Sequence, residues 1–207
     1  MGFRSFWGSK RRIRGHKNNI YCSKVIFKKV LFQINGNDNT IIIGKYARIS
    51  DTKFIVYGSG HEVIIGDNVI LDGVNLVFED HNCKIVIGSN TVIYHHTHIA
   101  AVEPYSTVEI GSDCLFSSYV DIRTTDSHSI IDLDTKKRIN YGKNVVIKDH
   151  VWLGTHATVL KGVTIEHDSV VGMKSLVTRD IPCNCVAGGI PAKILKQNIT
   201  WQPERIY

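Results

Sequence analysis

Aliphatic residues recur at every sixth position in the stretch from residue 147 to residue 177. These positions are Ile147, Leu153, Val159, Ile165, Val171 and Val177. An α-helix repeats its apolar positions about every 3.6 residues and a half-buried strand every second residue, so neither element explains the spacing. A period of six predicts a parallel β-helix, in which each hexapeptide contributes one short strand and three hexapeptides complete a coil.

An Ile-Gly dipeptide that returns after 22, 22 and 23 residues extends this architecture upstream. The dipeptides begin at Ile43, Ile65, Ile87 and Ile110. Apolar residues follow each of them at the sixth and twelfth positions, and we expect these to face the core: Ile49 and Ile55, Leu71 and Val77, Ile93 and Ile99, Phe116 and Ile122. Each coil has about four residues more than three hexapeptides need, and we assign these to one corner of the coil.

The repeat is interrupted once, after Ile122. The next core position is Ile147, which is farther along the chain than one coil requires. We therefore predict an extruded loop over residues 123–145, a kind of interruption that commonly carries function. The chain then divides into a basic N-terminal arm and cap (1–40), an all-β solenoid (41–182) and a short C-terminal coil and tail (183–207). We expect the first 20 residues to be irregular and leave the state of residues 20–34 open.

The N-terminal arm concentrates the positive charge of the protein. The chain has a formal net charge of +6, and residues 1–37 contain nine Lys or Arg and no acidic residue. This arm could make peripheral contact with a membrane or an acidic polymer, or it could be a solvated cap. No nucleic-acid-binding motif accompanies the charge, so we expect no nucleic-acid partner.

Cysteine usage and hydropathy indicate a cytoplasmic protein. The five cysteines are an odd number without the spacing of a disulfide framework, which indicates reduced thiols. No run of 18 apolar residues is present, so no transmembrane helix is expected. The N-terminal segment also lacks the apolar stretch of a signal peptide.

Four motifs follow one another in the second half of the chain. They are Asp126-Ser127-His128, Val151-Trp152-Leu153-Gly154, Val177-Thr178-Arg179-Asp180-Ile181-Pro182 and Gly188-Gly189-Ile190-Pro191-Ala192-Lys193. With these motifs, the segment 126–196 resembles the hexapeptide-repeat acyltransferases, in particular the galactoside, maltose and surface-polysaccharide O-acetyltransferases. Because Asp121-Ile122-Arg123 precedes the first motif, the chain looks most similar to enzymes that acetylate capsular or lipopolysaccharide sugars.

This resemblance implies a left-handed β-helix and a homotrimer with acetyl-CoA in a groove between two prisms. It also makes His128 the general base, because an imidazole with a pKa near 7 can accept the proton of an attacking sugar hydroxyl. Asp126 or another group of the loop would orient the imidazole. Direct transfer in a ternary complex is expected, since no activated Ser or Cys motif is present.

Trp152 precedes the core position Leu153, so we expect its side chain to point outward. The resemblance places this indole beside the thioester and the pantetheine arm of acetyl-CoA, although packing between protomers would also explain an outward Trp. A backbone N–H near Gly154 could stabilise the oxyanion. Further positions that the resemblance assigns to coenzyme A are Gly154, Thr155, Met173, Thr178, Arg179, Lys193 and Lys196. Met173-Lys174 departs from the Ala-Gly that relatives carry, so we expect a narrower and more charged groove there.

The carbohydrate acceptor is assigned to residues near the loop. Tyr119, Arg123 and Arg138 are the candidates, and either arginine would suit an anionic sugar. A small-molecule acceptor, such as a free sugar or an antibiotic, is the alternative. A zinc-dependent enzyme or a non-catalytic scaffold is a further alternative, raised by clustered histidines, but we expect no metal because the acyltransferase motifs are present.

Overall fold

The computed structural model describes residues 6–207 and folds them as a left-handed parallel β-helix, which confirms the predicted fold class. The described chain contains 25 strands and no helix. The strands form the three faces of a prism, with ten, eight and seven strands. All pairings between neighbouring coils are parallel, and only the last two strands pair antiparallel.

The three faces alternate along the chain in the order ten-stranded, eight-stranded and seven-stranded. The ten-stranded face consists of β1 Phe6–Trp7, β4 Ile26–Lys28, β7 Arg48–Ser50, β10 Ile70–Asp72, β13 Val92–Ile93, β16 Leu115–Phe116, β19 Trp152–Leu153, β22 Val170–Val171, β24 Cys185–Gly189 and β25 Ala192–Gln197. The eight-stranded face consists of β2 Lys10–Arg14, β5 Leu31–Asn35, β8 Lys53–Tyr57, β11 Asn75–Phe78, β14 His98–Ala101, β17 Asp121–Arg123, β20 Thr158–Val159 and β23 Leu176–Val177. The seven-stranded face consists of β3 Asn19–Cys22, β6 Thr40–Ile43, β9 Glu62–Ile65, β12 Lys84–Ile87, β15 Thr107–Ile110, β18 Val145–Ile147 and β21 Thr164–Ile165.

One continuous hydrophobic core fills the prism. The six residues of the period-six series from Ile147 to Val177 are all fully buried, which confirms the interpretation of that period. The four isoleucines of the Ile-Gly dipeptides are also buried, and each ends a strand of the seven-stranded face. Stacked coils thus bury one another's aliphatic side chains, so that no coil is stable alone.

The prediction that Ile55 and Val77 face the core is wrong. Both are only half-buried, while Phe54 and Leu76, one position earlier, are fully buried. In the pairing register Leu76 lies beside Ile99, so Val77 lies beside Ala100 on the outer side of the sheet. A shift of one residue reverses the face to which a strand side chain points, and a spacing count cannot detect it.

The N-terminal segment is more ordered than its composition suggested. Strands β1 and β2 form part of the first coil, so the expectation of an irregular segment is wrong for residues 6–7 and 10–14. Residues 20–34 supply β4 and parts of β3 and β5. The coils therefore begin well before residue 41, and the basic residues of β2 are part of the solenoid. Residues 1–5, including Arg4 of the predicted arm, lie outside the described residues.

The extra residues of each long coil lie at the corner between the eight-stranded and seven-stranded faces, here called the loop corner. Residues 57–60, 80–82 and 103–106 turn there, as predicted. The interruption of the repeat leaves from the same corner, between β17 and β18. Part of it is a short antiparallel arm, because Ile131 bridges to Arg138 and the N–H of Ile139 donates to the carbonyl of Ile130 at 2.9 Å.

The C-terminal segment extends the ten-stranded face and then returns across it. Strand β24 continues the parallel pairing with β22, and β25 folds back on β24. All five cysteines are free thiols, and Cys83, Cys114 and Cys185 are buried. Within residues 6–207, no helix is long and apolar enough to cross a membrane.

Candidate active site

Glu103 anchors both ends of the loop. Its carboxylate accepts hydrogen bonds from Thr125 Oγ1 at 2.6 Å, from Arg138 Nη1 at 3.0 Å and from the N–H of Gly142 at 2.9 Å. Burial alone would raise the pKa of Glu103, but the donors, led by Arg138, outweigh it and lower the pKa to about 2. The carboxylate is therefore ionised at neutral pH and clamps the loop to the preceding coil.

Asn140 and Lys161 shape the turn that carries His128. Asn140 Nδ2 donates to the carbonyl of His128 at 2.8 Å and to Asp126 Oδ2 at 2.9 Å, and its Oδ1 accepts the N–H of Ile130 at 2.7 Å. Lys161 Nζ donates to the carbonyl of Asn140 at 2.8 Å and also to Asp126. These contacts, with Lys161 as the main cause, lower the pKa of the Asp126 carboxyl.

His128 itself is exposed on this braced turn. Its backbone N–H donates to the carbonyl of Asp126 at 2.8 Å, while its imidazole makes no hydrogen bond to any of residues 6–207. The Asp126 carboxylate is occupied by Lys161 and Asn140, so it does not hold the imidazole. Asp126 instead helps to position the backbone of the turn, and the imidazole is free to meet a ligand.

Trp152 lies on the outer side of the ten-stranded face, next to the fully buried Leu153, as predicted. Its Nε1 lies 3.4 Å from Ser117 Oγ, and its ring packs at a tilt against Trp201 with centroids 5.9 Å apart. Trp201 stacks on His150 at 4.5 Å, and its Nε1 donates to the carbonyl of His150 at 2.7 Å. The C-terminal tail therefore borders the indole of Trp152.

Asp168 holds this tail to the solenoid. Its Oδ1 accepts hydrogen bonds from His150 Nδ1 at 2.7 Å and from Thr200 Oγ1 at 2.9 Å, and its Oδ2 accepts one from His167 Nδ1 at 2.8 Å. These donors, His167 first and then His150, lower the pKa of Asp168 to about 2. Sequence reasoning missed Asp168 and Trp201, because no repeat or motif marks them.

One chain does not bring His128 and Trp152 together. The arm of His128 leaves from the loop corner, whereas Trp152 lies on the ten-stranded face, on another side of the prism. Thr178 and Arg179 lie on the loop-corner side, after β23. Lys193 and Lys196 lie in β25 at the edge of the ten-stranded face. These six residues thus form two groups on different sides of one prism.

A third group lies at the corner between the ten-stranded and eight-stranded faces. Gly154 is buried there, and its N–H donates to the carbonyl of Val171 at 2.8 Å, so this N–H is not available to an oxyanion. A Cβ on Gly154 would lie 2.7 Å from the backbone nitrogen of Met173, which explains why a glycine occupies this position. The neighbouring N–H of Thr155 has no acceptor in the described chain. Met173 is 65% exposed beside it.

The three residues assigned to the acceptor have different environments. Tyr119 is stacked between His96 and His156, with ring centroids 4.7 and 4.6 Å away. Arg123 Nε is paired with Asp121 at 2.9 Å, while its terminal nitrogens make no hydrogen bond within residues 6–207. Arg138 is occupied by Glu103 and its guanidinium lies 5.1 Å from the ring of Tyr141, so it supports the loop.

Known proteins with similar sequences are O-acetyltransferases. The polysialic acid O-acetyltransferase of Neisseria meningitidis is 37% identical over 168 residues, which are 80% of this chain and 76% of that protein. That of Escherichia coli O1:K1 is 37% identical over 118 residues, 57% of this chain but only 38% of the longer relative. The galactoside O-acetyltransferase of Escherichia coli K12 is 34% identical over 121 residues, 58% of each chain. No protein-family profile matches the chain.

Two crystal structures share the whole architecture. The polysialic acid O-acetyltransferase OatWY superposes with a TM-score of 0.90 at 31% identity, covering 96% of this chain and 93% of that one. The polysialic-acid-specific acetyltransferase NeuO superposes with a TM-score of 0.88 at 32% identity, covering 95% of this chain and 83% of that one. Because relatives this similar match most of their own length, the chain belongs to the hexapeptide-repeat acyltransferase family.

Proposed function

We propose that the protein is an acetyl-CoA-dependent O-acetyltransferase that modifies a sugar hydroxyl of an acidic capsular polysaccharide or its precursor. The names of the relatives support a polysialic acid acceptor. The observation that carries the proposal is the exposed, unpaired imidazole of His128 on a turn that Asn140, Lys161 and Glu103 brace. Five free thiols are compatible with a reaction in the cytoplasm.

His128 is the general base in this proposal. A sugar hydroxyl loses its proton to the imidazole as its oxygen attacks the acetyl carbonyl, and the imidazolium then protonates the departing thiolate. The loop fixes the backbone of His128 and leaves its imidazole without a hydrogen-bond partner. The base is therefore in position before the acceptor binds. Asp126 is already paired with Asn140 and Lys161, so we assign the orientation of the imidazole to a group of the bound acceptor or of a second copy.

The active site is completed between two copies of the chain, in a homotrimer. His128 and Trp152 lie on different sides of one prism, so they can meet across an interface but not within one subunit. The arm around His128 also exposes large apolar side chains, which a neighbouring prism would cover: Ile130, Ile131, Leu133, Ile139 and Tyr141. A groove between copies therefore joins the loop of one subunit to the ten-stranded face of the next.

The donor acetyl-CoA supplies the acetyl group as a thioester, and the residues present suit its chemistry. Arg179, Lys193 and Lys196 are exposed cations without an acidic partner among the described residues, as phosphate groups require. The open N–H of Thr155, next to Gly154, is the donor that we assign to the oxyanion. Trp152 offers an apolar surface for the pantetheine arm.

The acceptor binds near the root of the loop. The free terminal nitrogens of Arg123 can pair with the carboxylate of an acidic sugar, and the exposed ring of Tyr119 can pack against a sugar face. Arg138 has no such role here, because Glu103 already occupies its guanidinium.

Acetyl transfer by the purified protein tests this function. With acetyl-CoA and polysialic acid, the wild-type protein should release free thiol and form O-acetyl ester, and His128→Ala should lower turnover by at least about 100-fold. Coenzyme A should bind the variant as tightly as the wild type, and the control His81→Ala should retain full activity. Undiminished turnover by His128→Ala would contradict the assigned base. Acetylation of galactosides but of no acidic glycan would favour a small-molecule acceptor instead.

A further inference from the structure

Six outward residues form one straight column along the eight-stranded face. Strand pairing places Arg12 beside Gln33, Gln33 beside Ile55, Ile55 beside Val77, Val77 beside Ala100 and Ala100 beside Arg123. The column therefore runs from the basic first coil to the root of the His128 loop. Neighbouring strands are about 4.8 Å apart, so its two arginine backbones are separated by roughly 24 Å.

Three of the four basic residues of β2 point outward at the N-terminal end of this column. In β5, Phe32 and Ile34 are buried, so the alternating Leu31, Gln33 and Asn35 face outward. The register of β2 on β5 then gives Lys10, Arg12 and Arg14 the same outward direction. The first coil thus presents three cations on the face that leads to the loop.

A pocket of about 240 Å³ lies at this end of the face. Its lining includes Arg12, Arg14, Gln33, Asn35 and Tyr57. Neither arginine has an acidic partner within residues 6–207, and no acidic residue lines the pocket. A guanidinium binds a carboxylate through two parallel hydrogen bonds, so the pocket has the chemistry of a carboxylate site.

The middle of the column is uncharged. Ile55 and Val77 are half-buried, and Ala100 is small and 5% exposed. The surface of the sheet is therefore apolar there and no long side chain projects from this part of the column. Such an apolar surface suits the apolar faces of sugar rings that lie between two separated carboxylate sites. A nucleic acid strand carries a phosphate about every 3.4 Å and would need cations along the whole length.

We propose that this column, with the pocket at its end, is a binding track for an extended anionic polysaccharide. One sugar carboxylate binds at Arg12 and Arg14 while another, farther along the same polymer, binds at Arg123 beside the His128 loop. The track explains why Lys10, Arg12 and Arg14 of β2 share this outward direction. The proposal rests on the proposed function, because it adds to the acceptor site a second contact with the same polymer.

The test compares a long and a short acceptor. Arg12→Gln/Arg14→Gln removes two charges from the track, and Lys24→Gln/Lys45→Gln removes two exposed charges from the corner between the seven-stranded and ten-stranded faces. We expect the first variant to raise the KM for long polysialic acid at least fivefold and to leave its kcat unchanged. Its KM for a sialic acid dimer should stay within twofold of wild type, and the control variant should match wild type on both acceptors.

Direct binding separates this proposal from the catalytic one. Affinity for long polysialic acid, measured without acetyl-CoA, should fall at least fivefold in Arg12→Gln/Arg14→Gln and not in the control. Equal losses of affinity in the two variants would show that only the total charge of the protein matters, and would overturn the binding track. Tighter binding of DNA or of anionic vesicles than of polysialic acid, dependent on Arg12 and Arg14, would overturn the ligand class. Absence of acetyl transfer with intact, arginine-dependent polymer binding would overturn the enzymatic proposal alone.

Discussion

The side-chain amide of Asn140 donates a hydrogen bond to the carbonyl oxygen of His128 at 2.8 Å. Asn140 is 8% exposed and lies twelve residues after His128, on the returning segment of the arm. The same amide nitrogen reaches Asp126, so one buried side chain spans the whole Asp126-Ser127-His128 turn. The position of the proposed base is therefore set by a buried residue whose side-chain hydrogen bonds all lie within the loop.

We expect Asn140→Ala to lower kcat by roughly 100-fold, because a displacement of about 1 Å in a catalytic group reduces the rate by about that factor. Steady-state kinetics with saturating acetyl-CoA would measure the loss, and the KM for acetyl-CoA should not change. Thr135→Ala is the matched control, since Thr135 bonds only to Asp132 at the tip of the arm. Equal effects of the two substitutions would argue against a specific positioning role for Asn140.

The Glu103 clamp predicts an acid-sensitive loop. Its pKa of about 2 lies below the value of about 4.3 in an unfolded chain, so its contribution to stability is complete above the unfolded value. That contribution is lost as the pH falls from about 4.3 through about 2. We expect Glu103→Gln to flatten this part of the stability–pH curve, because the substituted amide does not titrate.

Thermal unfolding between pH 2 and pH 7 measures this effect. At neutral pH, Glu103→Gln should lower Tm by several degrees and speed proteolysis within residues 124–144. The control Glu109→Gln removes an exposed carboxylate on the seven-stranded face and should change neither. A Glu103→Gln curve parallel to that of the wild type would show that the clamp is not ionised as described.

Trp152 and Leu153 are adjacent but point in opposite directions, so their substitutions should separate activity from stability. Leu153→Ala should cost about 2–5 kcal/mol of unfolding free energy, as for other buried leucines. Trp152→Ala should leave the free energy of unfolding nearly unchanged while raising the KM for acetyl-CoA so far that acetyl transfer is lost at the acetyl-CoA concentrations that saturate the wild type. Chemical denaturation and steady-state kinetics on the same preparations would decide, and a stability loss of equal size in both variants would contradict the orientation.

The contacts of Asp168 predict that a substitution at this position releases the C-terminal tail from the solenoid. Asp168→Asn should weaken its contacts with His150, His167 and Thr200 and free Trp201 from its stack on His150. We expect a red-shifted tryptophan emission and faster proteolysis after residue 197, whereas Asp134→Asn in the exposed arm should produce neither. An unchanged emission spectrum would show that the tail is held by other contacts.

Hydrophobic spacing was sufficient to predict the coils and the interruption of the repeat after Ile122. It failed at Ile55 and Val77, because the corner between the ten-stranded and eight-stranded faces changes length by one residue between coils. It also failed at β2, because the arginines and lysine of this strand leave no alternation of apolar and polar residues to indicate a strand. Glu103, Asn140 and Lys161 could not be predicted as a unit, since their contacts join positions 12 to 39 residues apart and follow no period.

Complementation between inactive subunits tests the central claim most directly. His128→Ala and Trp152→Ala would each be purified, mixed, dissociated and reassembled, and acetyl transfer to polysialic acid would be measured. If His128 of one copy acts with Trp152 of the next, mixed assemblies contain interfaces that keep both residues, and activity should return to a substantial fraction of wild type. Mixed assemblies that stay as inactive as either variant alone would contradict an active site shared between copies.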